Sequence, residues 1–202
     1  MDIRDRIIEV STEMFLQNGC KSVTMDDVAK ENGISKRTLY EHFSDKSQLL
    51  EECIDFMKVQ MIEYAMVMEK ESENVLDLLF KIHSSQSDLI INLKINFFQE
   101  LRKYYYDLYK KTVENVMVYH MERINEYIEK GQKEGFITKN INNNLVSKVV
   151  IEISHLLENS DIFPVKEYQR KELFKEVVIY YFRGIATDKG IKAIDEYLAN
   201  SN

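Results

Sequence analysis

The stretch that decides the fold runs from Thr24 to Phe43 and reads TMDDVAKENGISKRTLYEHF. Its first part predicts a short helix, because Thr24 is a favourable N-cap and Asp27 stands three residues later. That spacing makes an imperfect capping box, with Asp in the position where Glu or Gln is preferred. The apolar residues of this helix recur at helical spacing and predict a buried face: Met25, Val28 and Ala29.

A second short helix is predicted after a tight turn. Gly33 should end the first helix, since the left-handed conformation needed there is open to Gly without steric cost. Ser35 should cap the second helix, with Ile34, Leu39 and Phe43 as its anchors. The other side chains are cationic, hydroxyl-bearing or imidazole groups and are expected to face outward: Ser35, Lys36, Arg37, Thr38, Tyr40 and His42. This layout is typical of a helix-turn-helix whose second helix enters the major groove of DNA.

The outward side chains have the chemistry that such a helix needs. Lys and Arg can donate to guanine O6 and N7, and Ser and Thr hydroxyls can bond several base edges. Longer or later side chains suit phosphate oxygens, which fix position without reading sequence. The alternative is an ordinary solvated helix face, and for Lys36 and Arg37 alone it stays open. The predicted DNA-binding set is Thr24, Ser35, Lys36, Arg37, Thr38, Tyr40, His42 and Lys46.

The same residues carry a family resemblance. The matching positions lie in Gly19, Val23-Thr24-Met25, Val28-Ala29, Gly33-Ile34-Ser35, Thr38-Leu39-Tyr40, His42-Phe43, Lys46 and Leu49-Leu50. This run, about a quarter of the chain, resembles the DNA-binding domain of the TetR family. The resemblance implies a bacterial, ligand-responsive transcriptional regulator, and most members are repressors. Arg37 stands where the family often has a small residue, which leaves the base preference open.

Composition and charge narrow the possible functions. Six Gly and one Pro among 202 residues fit long helices with short connections. A net charge of −7 argues against a protein that coats nucleic acid, and even residues 1–47 carry seven Lys and Arg against nine Asp and Glu. Non-specific DNA binding should therefore be weak. The basic groups must be sorted onto one face, with these carboxylates expected to point elsewhere: Asp2, Glu9, Glu13 and Asp26.

Cysteine usage and targeting signals bear on the compartment. Cys20 and Cys53 lack the spacing of paired metal ligands and are expected to be reduced thiols. No apolar run approaches the length of a membrane span, and no signal-peptide pattern precedes Asp2. The sequence therefore predicts a soluble, cytoplasmic protein.

Helices flank the helix-turn-helix on both sides. Residues 2–18 predict a first helix, in which Arg4 and Arg6 either lie near a phosphate strand or are ordinary solvent-facing charges. Asp45 and Gln48 form a capping box for a helix from Lys46 to about Glu71, which is too long for the small domain alone. In the family that this element resembles, the corresponding helix connects ligand occupancy to the DNA-reading helices.

The remaining sequence predicts a larger helical domain that binds a ligand and dimerises. Its predicted segments are residues 73–98 (one helix, or two with a break near 84–87), an aromatic piece at 100–109, a helix ending at 134, helices at 142–159 and 165–185, and a final helix at 189–198. A small hydrophobic or aromatic effector of unknown identity is expected among Met, Tyr, His and Phe side chains, although a packed core is the alternative. The candidate pocket residues are Met57, Met61, Tyr64, Met68, His83, Phe97, Tyr104, Met117, His120 and Met121.

Wide apolar faces on the last two long helices predict a homodimer. The same two helices of a second copy would complete a four-helix interface about a two-fold axis. Burial within one chain is the alternative. The predicted interface residues are Leu145, Val149, Ile153, Leu156, Leu173, Val177, Tyr180 and Tyr181.

Catalytic motifs give little support to an enzyme. A Gly-rich phosphate loop, HExxH and a nucleophile elbow are missing from the sequence, so no cofactor or catalytic residue is expected. Glu152-Ile153-Ser154-His155 forms an E-x-x-H motif, which provides metal ligands in di-iron helical bundles. Such a site needs a second E-x-x-H motif and two more helical Glu residues, and the sequence has no second motif.

The sequence thus predicts an all-α regulator. Residues 1–47 would form a three-helix DNA-binding domain, and residues 48–202 a ligand-binding and dimerisation domain. The expected partner is a palindromic operator in double-stranded DNA, bound by a dimer that acts as a repressor. An activator on the same fold, or a helical-bundle metal-binding enzyme, is the alternative.

Overall fold

The computed structural model describes residues 2–84, 88–158, 161–164 and 166–200. These residues form helices and contain no β-strand, apart from a single antiparallel bridge between Ile137 and Ala186. The helices are α1 (Ile3–Asn18), α2 (Met25–Glu31), α3 (Lys36–His42), α4 (Lys46–Glu71), α5 (Val75–Ser84), α6 (Asp88–Tyr104), α7 (Tyr106–Glu134), α8 (Asn143–Glu158), α9 (Arg170–Leu173), α10 (Tyr180–Gly184) and α11 (Asp188–Asn200), with a π-helical segment at Phe174–Ile179 between α9 and α10. The predicted all-α class is confirmed.

Two predicted helix boundaries are wrong. The helix expected from residue 165 begins at Arg170, because the N–H groups of Glu167 and Tyr168 donate to Pro164 O at 3.0 and 3.1 Å and form a turn there. The aromatic piece at 100–109 is not a separate element, since α6 continues to Tyr104 and α7 begins at Tyr106. The alternative of two helices over residues 73–98 is confirmed by α5 and α6.

The chain divides into two compact units. The first unit consists of Met1–Glu63 and Asn92–Glu114, and the second consists of Tyr64–Ile91 and Asn115–Asn202. The first unit therefore holds α1 to α3 together with parts of α4, α6 and α7. The predicted domain boundary between residues 47 and 48 stays a prediction.

The core of the first unit fixes the helix-turn-helix. The α3 anchors Leu39 and Phe43 are fully buried, and Ile34 packs against the same cluster. Each such side chain stabilises the fold by about 1.5–3 kcal/mol through removal of apolar surface from water. Their partners come from every helix of the unit and include Ile7, Phe15, Val28, Leu49, Leu50, Cys53, Phe97 and Leu101.

The core of the second unit is formed by α5, α7, α8 and the helices after residue 170. Its buried side chains include Leu76, Phe80, Ile128, Val150, Phe174 and Phe182. Phe80 contacts Phe174 edge-on, with ring centroids 6.3 Å apart. Within the described residues, no helix combines the length and the apolar character needed to cross a membrane.

Candidate nucleic-acid interface

The start of α2 is fixed by a reciprocal capping box. The Thr24 hydroxyl accepts from the Asp27 N–H at 3.2 Å, and the Asp27 carboxylate accepts from the Thr24 N–H at 2.8 Å. The Thr24 hydroxyl also donates to Asp27 Oδ2 at 2.6 Å. These bonds, the hydroxyl first and the backbone second, lower the pKa of Asp27 below its ordinary value. The predicted box is confirmed, and it leaves Thr24 exposed at the first turn of α2.

The turn between α2 and α3 has the geometry of a Schellman motif. The Ile34 N–H donates to Ala29 O and the Gly33 N–H donates to Lys30 O, each at 3.0 Å. Gly33 has φ +64°, the left-handed conformation that the sequence predicted for it. The Asn32 side chain is buried and donates to Val28 O at 2.9 Å, which closes the C-terminal end of α2.

Helix α3 has its polar face outward, because the Ser35 cap fixes its start and Leu39 and Phe43 bury its other side. Ser35 Oγ accepts from the Thr38 N–H at 3.0 Å, and the two hydroxyls lie 2.8 Å apart. Leu39 is fully buried one turn later. The exposed side chains of α3 are Lys36, Arg37, Tyr40 and Glu41, whereas Thr38 and His42 are half-buried. The structure therefore places six of the eight predicted DNA-binding residues on α3 and its cap.

Both cations of α3 are paired with carboxylates. Lys36 Nζ lies 2.6 Å from Asp26 Oδ1, and Arg37 Nε lies 3.2 Å from Glu41 Oε1. The expectation that Asp26 points away from the basic face is wrong. Asp26 stands on the first turn of α2, close enough to α3 to receive the Lys36 ammonium group. The bond from Lys36 to Asp26 raises the pKa of Lys36 above its ordinary value.

Lys46 at the start of α4 is held by the protein itself. Its ammonium group donates to Lys21 O at 3.2 Å and lies 5.9 Å from the Phe15 ring centroid and 5.8 Å from that of Tyr105. Burial lowers the pKa of Lys46. The capping box predicted for this helix is shifted by one residue: the Gln48 N–H donates to Asp45 Oδ1 as expected, but the Gln48 side chain accepts from the N–H of Ser44.

The two arginines of α1 bind residues of the first unit. Arg4 forms an ion pair with Glu52 of α4, and its guanidinium group lies 5.2 Å from the Phe43 ring centroid. Arg6 donates to Asn32 O at 3.0 Å, in the turn after α2. Both arginines thus connect α1 to the elements that carry α3.

Known regulators share this helix-turn-helix. The sequence model described as bacterial regulatory proteins, tetR family, matches residues 7–53. An HTH-type (helix-turn-helix) transcriptional regulator of Staphylococcus aureus strain USA300 is 31% identical over 129 residues, which cover 53% of this chain and 67% of that protein. The HTH-type transcriptional regulator YvaF of Bacillus subtilis strain 168 is 29% identical over 189 residues, or 91% of this chain and 96% of that protein. A TetR transcription regulator from Haloarcula marismortui has a similar fold, with a TM-score of 0.76 at 13% identity over 92% of this chain and 99% of that one.

The chain belongs to the TetR family of bacterial regulatory proteins. It is a helix-turn-helix transcriptional regulator and not an enzyme, as its sequence predicted. In this TetR-family chain, the matched residues 7–53 include α2, α3 and the turn between them. The side chain of His155, from the E-x-x-H motif, lies outside the described residues. Among the side chains that are described, no group of three or more His, Cys, Asp and Glu is placed to hold a metal ion.

The predicted pocket residues of this TetR-family regulator are divided between the two units. Phe97 belongs to the buried core of the first unit and Met57 packs against it, while Tyr104 is 40% exposed. Met68 packs against the core of the second unit. His83 and Met117 have side chains outside the described residues. The remaining four are half-buried, and the set stays a prediction: Met61, Tyr64, His120 and Met121.

The predicted dimer residues include exposed, half-buried and buried side chains. Leu145, Val149 and Leu156 form an exposed apolar stripe on α8, with 59%, 42% and 41% of their surface accessible. The neighbouring stripe of α8 packs inward through Val146, Val150 and Leu157. Ile153 of α8 is half-buried against the core, as are Val177 and Tyr181. Tyr180 is exposed, and Leu173 belongs to the core.

Sequence reasoning missed a group of charges around Tyr104. Lys21 Nζ lies 4.7 Å from the centroid of the Tyr104 ring, and Lys103 Nζ lies 5.3 Å from it. Lys21 belongs to the loop before α2 and Lys103 to the end of α6, so no local pattern in the sequence brings them together. Hydrogen bonding by Lys103, and then by Lys21, lowers the pKa of the Tyr104 phenol.

Proposed function

We propose that this regulator binds a palindromic operator as a homodimer, represses transcription, and releases the operator when a small hydrophobic or aromatic effector binds. The observation that carries the proposal is the orientation of α3, whose polar side is exposed while its apolar side is buried. Its apolar side is buried through Leu39 and Phe43, and the Arg37 side chain on the opposite side is 89% exposed. A short capped helix with this orientation fits the major groove, where Lys36 and Arg37 can reach guanine acceptors.

A second copy of the chain is proposed to cover the exposed stripe of α8. Leu145, Val149 and Leu156 present apolar surface to solvent on one helix, beside residues that already belong to the core. An apolar surface of this kind is stabilised by an isologous contact with the same stripe of a second chain. The two-fold axis would then hold two α3 helices roughly 34–36 Å apart, which matches one turn of DNA.

The effector is proposed to act by favouring a spacing of the two α3 helices that fits the operator poorly. A coupling free energy of about 1–3 kcal/mol between effector and operator is enough to change operator affinity by about 5- to 150-fold. Since this coupling is reciprocal, operator DNA should weaken effector binding by the same factor.

Selection of bound duplexes from a random pool tests the DNA-binding part of the proposal. The wild-type chain should enrich a palindrome, and its affinity for that duplex should fall in a Lys36→Ala/Arg37→Ala variant by about 1–3 kcal/mol for each residue that reads a base. Lys133→Ala/Lys139→Ala is the control, because it removes two exposed cations outside the helix-turn-helix and away from the α8 stripe. Enrichment of no sequence, or equal operator binding by the Lys36/Arg37 variant, would reject the assignment.

A further inference from the structure

A patch of two lysines and one tyrosine lies on the first unit outside the helix-turn-helix. We call it the Tyr104 patch and define it as Lys21, Lys103 and Tyr104. All three side chains are exposed, and both ammonium groups lie within 5.3 Å of the centre of the Tyr104 ring. Cation–π attraction holds each lysine to the ring, so the two charges occupy one small area of the surface.

The backbone beneath the patch is fixed. Glu100, one turn before Lys103 on α6, accepts a hydrogen bond from the Lys21 N–H at 3.0 Å. The same carboxylate fills the space beside Gly19, where a Cβ would lie 2.5 Å from Glu100 Oε2. Gly19 has φ +82°, a conformation that favours glycine. The loop before α2 and the end of α6 are therefore joined independently of the two lysine side chains.

The two ammonium groups of the patch form no ion pair among the described residues, and the Glu100 carboxylate beneath them is bound to the Lys21 N–H. Among the described residues, no carboxylate lies within 4.0 Å of the ammonium group of Lys21 or Lys103, whereas Lys36 and Arg37 of α3 each have one. Two like charges at one ring repel each other, and the Glu100 contact already joins the two segments. Contact with Tyr104 accounts for the position of both lysines, and an anion bound between the two ammonium groups would relieve their mutual repulsion.

The patch adjoins the start of α4 and the cap of α2, which the proposed function places at the DNA. The carbonyl of Lys21 accepts from the Lys46 ammonium group at 3.2 Å. Lys46 opens α4, and Thr24, which caps α2, follows Lys21 by three residues. Helix N-termini and nearby lysines are common phosphate contacts in DNA complexes. The Tyr104 patch therefore lies next to these two helix starts and continues onto α6.

We propose that the Tyr104 patch binds the phosphodiester backbone of duplex DNA outside the base pairs that α3 reads. The proposal rests on the proposed function, because it presumes that α3 enters the groove. Lysine ammonium groups bind phosphate as point charges and carry no preference among bases. The patch would add affinity and salt dependence without adding sequence preference, and α6 would become a DNA-contacting helix alongside α2, α3 and α4.

The test compares a Lys21→Gln/Lys103→Gln variant with wild type on two duplexes. One holds the selected operator with about ten base pairs added on each side, and the other is trimmed to the base pairs that selection defines. On the longer duplex, the slope of log K against log salt should be less negative for the variant by about 2. The affinity of the variant at 0.1 M salt should be roughly 10- to 100-fold lower than that of wild type. On the trimmed duplex the variant and wild type should bind alike. Lys133→Gln/Lys139→Gln is the charge-matched control, and thermal unfolding checks that both variants fold.

Three results would overturn the proposal. Equal slopes for the variant and wild type on the longer duplex would show that the patch does not touch phosphate. An equal loss on both duplexes would show that its contacts do not lie in the flanking DNA. A wild-type chain that fails to distinguish the selected operator from a scrambled duplex would remove the proposed function itself, and this inference with it.

Discussion

Lys36 of α3 and Asp26 of α2 form an ion pair across the turn, with the Lys36 ammonium group 2.6 Å from Asp26 Oδ1 and 2.7 Å from Oδ2. Both side chains are more than half exposed. The pair joins a predicted base-reading cation to a carboxylate on the same face, and Lys36 must share or exchange Asp26 before it can bind a base or phosphate. The contact therefore lowers the attraction of α3 for any phosphate backbone.

Asp26→Asn is expected to strengthen non-specific DNA binding. Removal of the carboxylate frees one cation, so the slope of log K against log salt should steepen by about 1 on random-sequence DNA. The ratio of operator to random-sequence affinity should fall. Fluorescence anisotropy over a range of salt concentrations measures both quantities. Glu31→Gln is the matched control, since it removes one negative charge from an exposed position on the same helix. Identical slopes for the two variants would contradict a specific role for Asp26.

Thr24→Val should destabilise the first unit, because it removes the hydroxyl that caps α2. Loss of such a cap costs about 1 kcal/mol. Thr24→Ser keeps the hydroxyl and should unfold like wild type in urea at pH 7. A Val variant as stable as the Ser variant would show that the cap contributes nothing.

The same substitution should change the response to acid. The pKa of Asp27 is lowered in the folded protein, so its contribution to stability is present above its ordinary value of 3.8 and is lost as the pH falls through the lower folded value. The Thr24 hydroxyl is the largest cause of that shift. Thr24→Val should therefore lose less stability than wild type as the pH falls below 3.8. Urea unfolding at several pH values measures this difference, and parallel curves would rule it out.

Cys20 and Cys53 should react slowly with thiol reagents while the protein is folded. Both side chains are fully buried, and burial raises the pKa of Cys20 to about 11 and of Cys53 to about 12 from an ordinary 9.0. Raising the pKa of Cys20 by about two units leaves about 100-fold less thiolate at pH 8. Thiolate is the reactive form of the side chain. Labelling should be at least 100-fold faster in urea-unfolded protein, and fast labelling of the native chain would contradict this.

The raised thiol pKa values also predict the alkaline response. A raised folded-state pKa contributes stability that is fully present below the unfolded value and is lost as the pH rises through the folded value. For Cys20 this loss should extend from about pH 9 to about 11. A Cys20→Ala variant should show a smaller decline over that range, measured by urea unfolding against wild type.

Leu145→Glu/Val149→Glu should abolish the proposed dimer. Both side chains are exposed in the single chain, so the substitutions should leave its fold intact but bury charge in the interface. The dissociation constant of the dimer should rise at least about 100-fold, as measured by sedimentation or light scattering. Lys148→Glu is the control on the same helix, at an exposed polar position. A double variant with the mass of a dimer would refute the interface.

Short-range features of this fold could be predicted from sequence. The Thr24 cap, the left-handed Gly33 and the Ser35 cap are each determined by residues within a few positions of one another. Their physical causes, a hydroxyl near orphan N–H groups and a residue without a Cβ, act within one turn of helix. The buried anchors of α3 followed from apolar spacing for the same reason.

Contacts between distant segments were beyond sequence reasoning. The pairing of Asp26 with Lys36 depends on the angle between two helices, and the gathering of Lys21 and Lys103 at Tyr104 depends on where α6 packs. The sequence predicted an interface for the α8 stripe of Leu145, Val149, Ile153 and Leu156, but periodicity alone could not show that the neighbouring stripe packs in the core. In the structure, Val146, Val150 and Leu157 pack in the core of the second unit.

The amino-acid sequence by itself determined that this chain is helical, that it carries a helix-turn-helix, and which side of α3 is buried. Tertiary structure alone decided which charges on the exposed side of α3 are paired with carboxylates. Local hydrogen bonds and apolar periodicity are encoded within a helical turn, whereas the distance between two charges is set by the packing of helices that are far apart in the chain.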